Sequence, residues 1–163
     1  MPVRGVSIAV LAVILDQLAK WQIVAYFAAH PEVARHVEIT NFFNLVLTTN
    51  RGISFSLFSQ NGRAGEVILI VLAAAVVIGL LAWLRRVNSG LLAFGIGLII
   101  GGAVGNALDR VVRGAVVDFL DFHLGQWHPF AFNLADASIS IGVGLLILDG
   151  LLGGRGRAAG RER

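Results

Sequence analysis

Four long apolar stretches constrain the fold of this chain more than any other feature of its sequence. They cover about residues 5–29, 65–85, 88–109 and 131–152. A helix of about 20 apolar residues crosses a bilayer with its backbone hydrogen bonds satisfied internally. Only 14% of the 163 residues are charged, against about 25% in soluble domains. The sequence therefore predicts an all-α polytopic membrane protein of four transmembrane helices, with residues 1–152 forming one domain.

The placement of arginine predicts the orientation of these helices. Four spans put both chain ends on one side, together with the short connection after the second helix. That side carries seven arginines: Arg4, Arg85, Arg86, Arg155, Arg157, Arg161 and Arg163. Because basic residues concentrate in cytoplasmic connections, we expect both termini in the cytoplasm, residues 153–163 as a basic cytoplasmic tail, and residues 30–63 and 110–130 as outward segments. The pI of 10.6 therefore reflects topology, and nucleic acid is not an expected partner.

The first outward segment contains a stretch that favours β-structure. Residues 36–50 are rich in β-branched and aromatic side chains with partial alternation, which is typical of short strands. Open strand edges cannot face lipid, so we expect these strands at the interface, above the helices.

Two kinds of reactive site are excluded or disfavoured by composition and spacing. The chain has no cysteine, so a thiolate metal site or a cysteine nucleophile is impossible. Its four histidines do not occur in the His-Glu-x-x-His pattern of metalloproteases. We therefore expect neither a metal nor another cofactor.

Carboxylates near the outer half of the helices are the strongest sign of a reactive site. Five aspartates lie there: Asp16, Asp109, Asp118, Asp121 and Asp136. Ionisable groups at that depth are costly and by default indicate function. Two carboxylates within hydrogen-bond distance share one proton, so one acts as a base and the other as an acid. Such a pair can activate water for peptide hydrolysis. The residues alone leave open which two meet.

Structural roles compete with this interpretation. Asn133 has the character of a helix N-cap, which would put Asp136 at the third helical position, near the positive end of the helix dipole. Asp109 directly precedes Arg110, so we expect it to pair with a cation or to fix the helix end. Asp118 differs, because apolar neighbours on both sides would raise its pKa.

Other functions remain open at this level. Lys20 could form a catalytic dyad with Ser54 or Ser56, although snorkelling or pairing with Asp16 at four-residue spacing is simpler. Asp16, Lys20 and Asp136 could instead form the relay of a small oligomeric transporter or proton channel. Secondary transporters usually contain internal repeats, and none is visible in the sequence. A non-catalytic helper of envelope assembly would not need this polar cluster.

Five motifs, in order, resemble one known family. They are Asp16-x-x-x-Lys20, Asn50-Arg-Gly-Ile-Ser-Phe-Ser56, Gly101-Gly-x-x-Gly-Asn-x-x-Asp-Arg110, Val116-Val-Asp-Phe119 and Phe132-Asn-Leu-Ala-Asp136. Each motif is weak alone, but the ordered set is specific. Over about residues 10–150 the chain is similar to the bacterial lipoprotein signal peptidases, also called signal peptidase II.

The resemblance implies an aspartic endopeptidase of the bacterial inner membrane, with a small extracytoplasmic β-structure, a short interfacial helix and an active site toward the outer face. Such enzymes remove signal peptides from prolipoproteins by cutting before a diacylglyceryl-modified cysteine. The family's catalytic pair matches Asp118 and Asp136. Further positions of its active-site region match Asp16, Lys20, Asn50, Gly52, Asn106, Arg110 and Asn133, and we group Asp109 with these supporting residues. The expected partners are a lipid-modified prolipoprotein and membrane lipid, with the enzyme as a monomer. Arg51 departs from the family's usual small or hydroxyl residue.

Overall fold

The structure, a computed structural model, describes residues 1–52 and 62–159, with side chains described for residues 1–52 and 64–152. The four helices are α1 (Pro2–Ala29), α2 (Gly62–Leu84), α3 (Gly90–Arg113) and α4 (Leu134–Ala159), and a 3-10 helix covers Pro31–Val33. The strands are β1 (His36–Thr40), β2 (Phe43–Asn50), β3 (Val116–Phe122) and β4 (Ala131–Phe132). Ser54 and Ser56 lie outside the described residues.

All four helices are long and apolar enough to cross a membrane. Their exposed surfaces are apolar, as on α2, where Val71 and Ile78 are 61% and 68% exposed. Apolar surface of this extent on a helix of this length fits contact with lipid. The predicted multi-pass architecture, with a small antiparallel sheet beside the helices, is confirmed.

Helix α3 lies at the centre of the bundle, and its glycines allow the backbones to touch. A Cβ atom on Gly101 would lie 2.7 Å from the carbonyl oxygen of Ala9 in α1. A Cβ atom on Gly102 would overlap the carbonyl oxygen of Ala135 in α4. Helices in lipid associate through such close packing, because lipid tails provide no hydrophobic drive. These glycines therefore set the distance from α3 to both neighbours.

We predict that Gly102→Ala destabilises the protein by about 1–3 kcal/mol, the usual cost of overpacking. The added methyl group meets a backbone carbonyl, which cannot rotate away as a side chain could. Gly144→Ala on α4 is the matched control, because a Cβ atom there has nothing within 4 Å. Thermal unfolding in detergent should show a lower Tm for the first variant only. Equal Tm values would contradict the packing argument.

The four strands form one antiparallel sheet in the order β1-β2-β3-β4. On β3, Asp118 is paired with Thr48 and Asp121 with Asn44. Because side chains alternate along a strand, Asp118 and Asp121 point to opposite faces of the sheet. We call the side of Asp118 the cavity face and the side of Asp121 the rear face.

Among the helix boundaries that differ from the sequence prediction, the end of α3 and the start of α4 position the site. Helix α3 continues to Arg113, beyond the predicted end at 109, and stops at Gly114, which has the left-handed φ of 72° that favours glycine. Helix α4 begins at Leu134 rather than at 131, because Ala131 and Phe132 form β4 and pair with β3. The α4 backbone extends to Ala159, into the segment predicted as a tail.

Candidate active site

A cavity of about 390 Å³ lies where the sheet meets the ends of α3 and α4. It is lined by Asn50, Gly52, Asn106, Arg110, Val116, Asp118, Phe130, Ala131, Phe132, Asp136, Ile139 and Ser140. Six of these were proposed as site residues from the sequence: Asn50, Gly52, Asn106, Arg110, Asp118 and Asp136. Within the described side chains, no three histidine, aspartate or glutamate residues could together hold a metal ion.

Asp118 reaches the cavity from the middle of β3 and is only 3% exposed. The amide nitrogen Nδ2 of Asn133 donates a hydrogen bond of 2.6 Å to its Oδ1 atom. Burial, followed by the negative charge of Asp136, raises the pKa of Asp118 to about 6. The side chain is thus more readily protonated than an ordinary aspartate.

Asp136 reaches the same cavity from the first turn of α4, where it forms a capping box with Asn133. Its backbone N–H donates to Asn133 Oδ1 at 3.0 Å, and the Asn133 N–H donates back to Asp136 Oδ2 at 3.3 Å. This reciprocal arrangement satisfies two N–H groups that a helix start leaves open. The capping expected from the sequence is therefore present, and it also fixes the carboxylate at the cavity wall.

Two asparagine side chains link the carboxylates. Asn106 Nδ2 donates to Asp136 Oδ1 at 2.8 Å, and Asn133 Nδ2 donates both to Asp118 and, at 3.2 Å, to Asn106 Oδ1. Each amide thus bonds to one carboxylate and to the other amide. Because a connected polar network fixes the rotamers of its members, the two carboxylates are held in a defined relation to each other.

Lys20 supports this network from α1 and is completely buried. Its ammonium group contacts Asp16 Oδ2 at 2.8 Å, Asp109 Oδ2 at 2.9 Å and Asn106 Oδ1 at 3.2 Å. A protonated lysine has three N–H donors, and these three acceptors can use all of them. The side chain therefore pairs internally and does not snorkel.

Asp16 connects α1 to the start of α4. Its Oδ1 atom accepts a hydrogen bond of 2.9 Å from the backbone N–H of Ala135, the residue just before Asp136. A Cβ atom on Gly105 would lie 2.7 Å from Asp16 Oδ2, so glycine is needed there for the carboxylate to approach α3. The position of Asp136 thus depends on the first helix.

Asp109 is fully buried and bonds to three elements. It pairs with Lys20 of α1 and with Arg113 one turn further along α3, and it accepts a hydrogen bond of 3.1 Å from the backbone N–H of Val117 in β3. Gln17 Nε2 donates to it at 3.1 Å and to Asp16 at the same distance. Sequence reasoning missed Gln17 and Arg113. A glutamine within an apolar span was the available signal for the first.

Arg110 holds the end of β2 against α3. Its Nη2 atom donates to the carbonyl oxygen of Gly52 at 3.1 Å, and its Nη1 atom donates to that of Asn106 at 3.2 Å. The Gly52 N–H in turn donates to Asn50 Oδ1 at 3.0 Å. These contacts bring a permanent positive charge to the wall of a cavity that contains two carboxylates.

The six other lining residues were not proposed as site residues from the sequence: Val116, Phe130, Ala131, Phe132, Ile139 and Ser140. Ile139 and Ser140 follow Asp136 by three and four residues, so helical spacing could have placed them on its face. Asp121 was grouped with the candidate acids, but its strand position directs it to the rear face, away from the cavity.

Comparison with known proteins agrees with this geometry. The family model for signal peptidase (SPase) II matches residues 8–152. A lipoprotein signal peptidase of Methylorubrum extorquens (strain PA1) is 46% identical over 149 residues, covering 91% of this chain and 86% of the relative. Another, from Rhodopseudomonas palustris (strain TIE-1), is 41% identical over 158 residues, covering 93% and 94%.

A solved structure of a bacterial membrane enzyme, determined by the in meso method at 2.3 Å resolution, has the same fold. It superimposes with a TM-score of 0.73 at 30% identity, covering 90% of this chain and 87% of that one. The resemblance inferred from the five sequence motifs is confirmed. The chain belongs to the signal peptidase II family.

Proposed function

We propose that this protein removes signal peptides from prolipoproteins by aspartic proteolysis, cutting before the diacylglyceryl-modified cysteine. The relatives named above are lipoprotein signal peptidases, which supports the substrate class. One observation supports the aspartic type of catalysis: Asp118 and Asp136 line one cavity. Their carboxylates are linked through the side chains of Asn106 and Asn133.

In the proposed reaction the two carboxylates share one proton and hold a water between them. The ionised carboxylate takes a proton from the water, and the oxygen of the water attacks the scissile carbonyl carbon. The protonated carboxyl group donates its proton to the carbonyl oxygen. The resulting gem-diol collapses when the carboxyl group that took the water proton donates it to the leaving amine nitrogen and the C–N bond breaks. The other carboxylate takes a proton from a diol hydroxyl, which forms the new carboxyl group and restores the one-proton pair. General acid–base catalysis of this kind contributes about 10²–10⁴-fold to rate.

The environments of the two residues suggest which one starts protonated. Asp118 has a pKa raised to about 6 by burial and by the neighbouring charge. Asp136 lies at the positive end of α4 and accepts hydrogen bonds from Asn106 and Asn133, an arrangement that suits the anionic partner. We assign the acid role to Asp118 and the base role to Asp136 at the start of the cycle.

The cavity walls fit a substrate held in the membrane. Phe130, Phe132 and Ile139 supply apolar surface beside the carboxylates, and a lipid-modified signal peptide presents an apolar helix and acyl chains. We place the protein in the bacterial inner membrane with both termini cytoplasmic and the cavity toward the outer face, because seven of the twelve arginines lie at the termini and the α2–α3 connection.

The test is cleavage by purified protein in detergent. A prolipoprotein carrying the diacylglyceryl group should be shortened by its signal peptide, whereas the same polypeptide without the lipid should remain intact. Gel mobility and mass spectrometry of the product would identify the cleaved bond. No shortened product, or equal cleavage of both substrates, would contradict the proposal.

A transporter or proton channel is not favoured, because the chain belongs to a peptidase family. The buried Lys20 is engaged with Asp16, Asp109 and Asn106, which fits a fixed support better than a moving relay. Ion flux into liposomes that survives loss of Asp118 would be the result in favour of transport.

The raised pKa of Asp118 also predicts a pH-dependent stability. In the folded protein the pKa of Asp118 is about 6, against 3.8 for an ordinary aspartate. Protonation of this side chain therefore stabilises the fold fully below pH 3.8. That stabilisation is lost as the pH rises through about 6. The full shift corresponds to about 3 kcal/mol. Asp118→Asn lacks this charge and should have a higher Tm than the wild type at pH 8, with the difference shrinking below pH 5. If the Tm of the variant at pH 8 were equal to or lower than that of the wild type, the ionised Asp118 carboxylate would not destabilise the fold.

A further inference from the structure

The connection between β3 and β4, residues 123–130, is held only weakly by the sheet itself. Strand β4 has two residues, and so short a strand contributes little pairing. Within the connection, Leu124 and Trp127 exchange backbone hydrogen bonds of 3.0 and 3.1 Å around Gly125, which has a left-handed φ of 59°. The backbone N–H of His123 ties the start of the connection to the carbonyl oxygen of Phe42 at 2.9 Å. The turn that follows closes on itself and leaves the second half of the connection, which contains His128, to side-chain contacts.

A cluster on the rear face supplies those contacts. Asp121 Oδ2 accepts a hydrogen bond of 3.0 Å from Asn44 Nδ2 of β2. The same oxygen lies 2.8 Å from His128 Nδ1 in the connection. The His128 ring stacks on that of His123, with centroids 4.6 Å apart. We call Asn44, Asp121, His123 and His128 the rear cluster. None of its members lines the cavity described above, so the proposed reaction gives them no direct role.

Asp121 is held as a buried anion in this cluster. The side chain is only 8% exposed, against 43% for His128. Burial by itself would raise the pKa of Asp121, but hydrogen bonds from Asn44 and His128 outweigh it and keep the pKa below its usual value. The carboxylate thus gives His128 a fixed, charged acceptor.

On the other side of the sheet, the same connection ends in a wall of the cavity. Phe130, two residues after His128, lines the cavity although it is 58% exposed. It makes an edge contact with Phe132 at 6.4 Å, and Phe132 stacks on Phe122 at 5.8 Å. A half-exposed ring at the end of a weakly paired connection depends on its backbone anchor for a fixed position.

We propose that Asp121 and His128 are positioning residues: by fixing the connection from the rear face, they hold Phe130 as an apolar contact for the substrate beside the catalytic carboxylates. This inference rests on the proposed function, because it needs a substrate in the cavity. The acid and base themselves are untouched by the rear cluster, so its loss should weaken substrate binding and leave the chemical step intact.

The kinetic test compares three histidine variants in the detergent cleavage assay. His128→Ala should raise KM about fivefold with kcat changed less than about twofold, the pattern of lost uniform binding. His128→Asn keeps a donor near the position of Nδ1 and should retain most of the wild-type KM. The matched control is His30→Ala, because His30 is an exposed histidine that bonds to the Tyr26 carbonyl on α1. A KM for His128→Ala equal to that of the control would overturn the proposal.

A double-mutant cycle tests whether the effect passes through Phe130. In a Phe130→Ala background, His128→Ala should change KM by less than about 1.5-fold, since coupled residues are non-additive. A fivefold increase in KM in that background, equal to the increase in the wild-type background, would show that His128 does not act through Phe130. Equal losses of kcat in both backgrounds would do the same, because they would indicate general damage to the site.

A measurement without substrate separates this inference from the function. In a Trp21→Phe/Trp83→Phe background, Trp127 is the single remaining tryptophan of the three and reports directly on the connection. The fluorescence anisotropy of Trp127 should decay to a lower value in His128→Ala than in His128→Asn, because the connection moves more when its anchor is lost. If the wild type cleaves nothing while this difference is seen, the function fails and the anchoring stands. If the wild type cleaves and the difference is absent, the anchoring fails alone.

Discussion

Asp118→Asn and Asp136→Asn should each lower the cleavage rate by about 10²–10⁴-fold, the range of a positioned acid or base. Each amide keeps the size of the carboxyl group but can neither take a proton from water nor share one with its partner. Both variants should insert and accumulate, since Asn133 and Asn106 can still bond to an amide oxygen at either position. Single-turnover cleavage of the diacylglyceryl prolipoprotein would measure the loss.

Asp149→Asn is the matched control for these variants. Asp149 is a second aspartate on α4, but it accepts a hydrogen bond from Ser89 at the other end of the bundle. Asparagine can accept the same bond, so activity should stay within about twofold, as for most substitutions away from a site. Near-normal turnover by either Asp118→Asn or Asp136→Asn would exclude a shared-proton mechanism.

Lys20→Met should cost about 3–5 kcal/mol of stability, the effect of breaking a buried ion pair by removing one partner. Asp16 and Asp109 are both 0% exposed, and each would lose its contact with the ammonium group. Activity should fall as well, since Asn106 loses a donor that orients it toward Asp136. Size-exclusion chromatography after heating in detergent would report the loss of folded protein.

Two further variants separate charge from packing in this prediction. Arg4→Met removes an exposed cation from the same helix and should leave Tm within about 1 °C, because exposed charges contribute little. Asp16→Asn combined with Lys20→Met restores the charge balance and should recover part of the lost stability. A double variant less stable than Lys20→Met alone would mean that packing, and not the unpaired carboxylate, dominates the loss.

The helices could be predicted from the sequence because hydropathy over about 20 residues is a local property. The end of α3 was placed too early for a physical reason. Asp109, Arg110 and Arg113 have the polarity of an interfacial loop, yet in the structure they bond to Lys20, Gly52 and Gln17 within the protein. Partners on other elements can satisfy polar groups in lipid, and these partners are 58 or more residues away in sequence.

The residues taken alone showed the aspartates of the site individually, and only the family resemblance indicated which two form the pair. Asp118 lies on a strand that was not predicted, since residues 116–122 form β3 by pairing with β2, a contact across more than 60 positions of sequence. Asn133 and Asp136 could be read as a helix start, because capping involves near neighbours. That the same asparagine also reaches Asp118 depends on the sheet lying over α4, which no local pattern encodes.

The bond from Asp16 to the backbone of Ala135 has a consequence for biosynthesis. The charged groups of α1 and α3 can neutralise one another before the last quarter of the polypeptide has left the ribosome. The carboxylate of Asp136 arrives only when the final helix inserts and docks its amino end on residue 16. On the mechanism proposed above, cleavage therefore requires that last docking step, and a nascent chain stalled before α4 would lack one of the two reacting carboxylates.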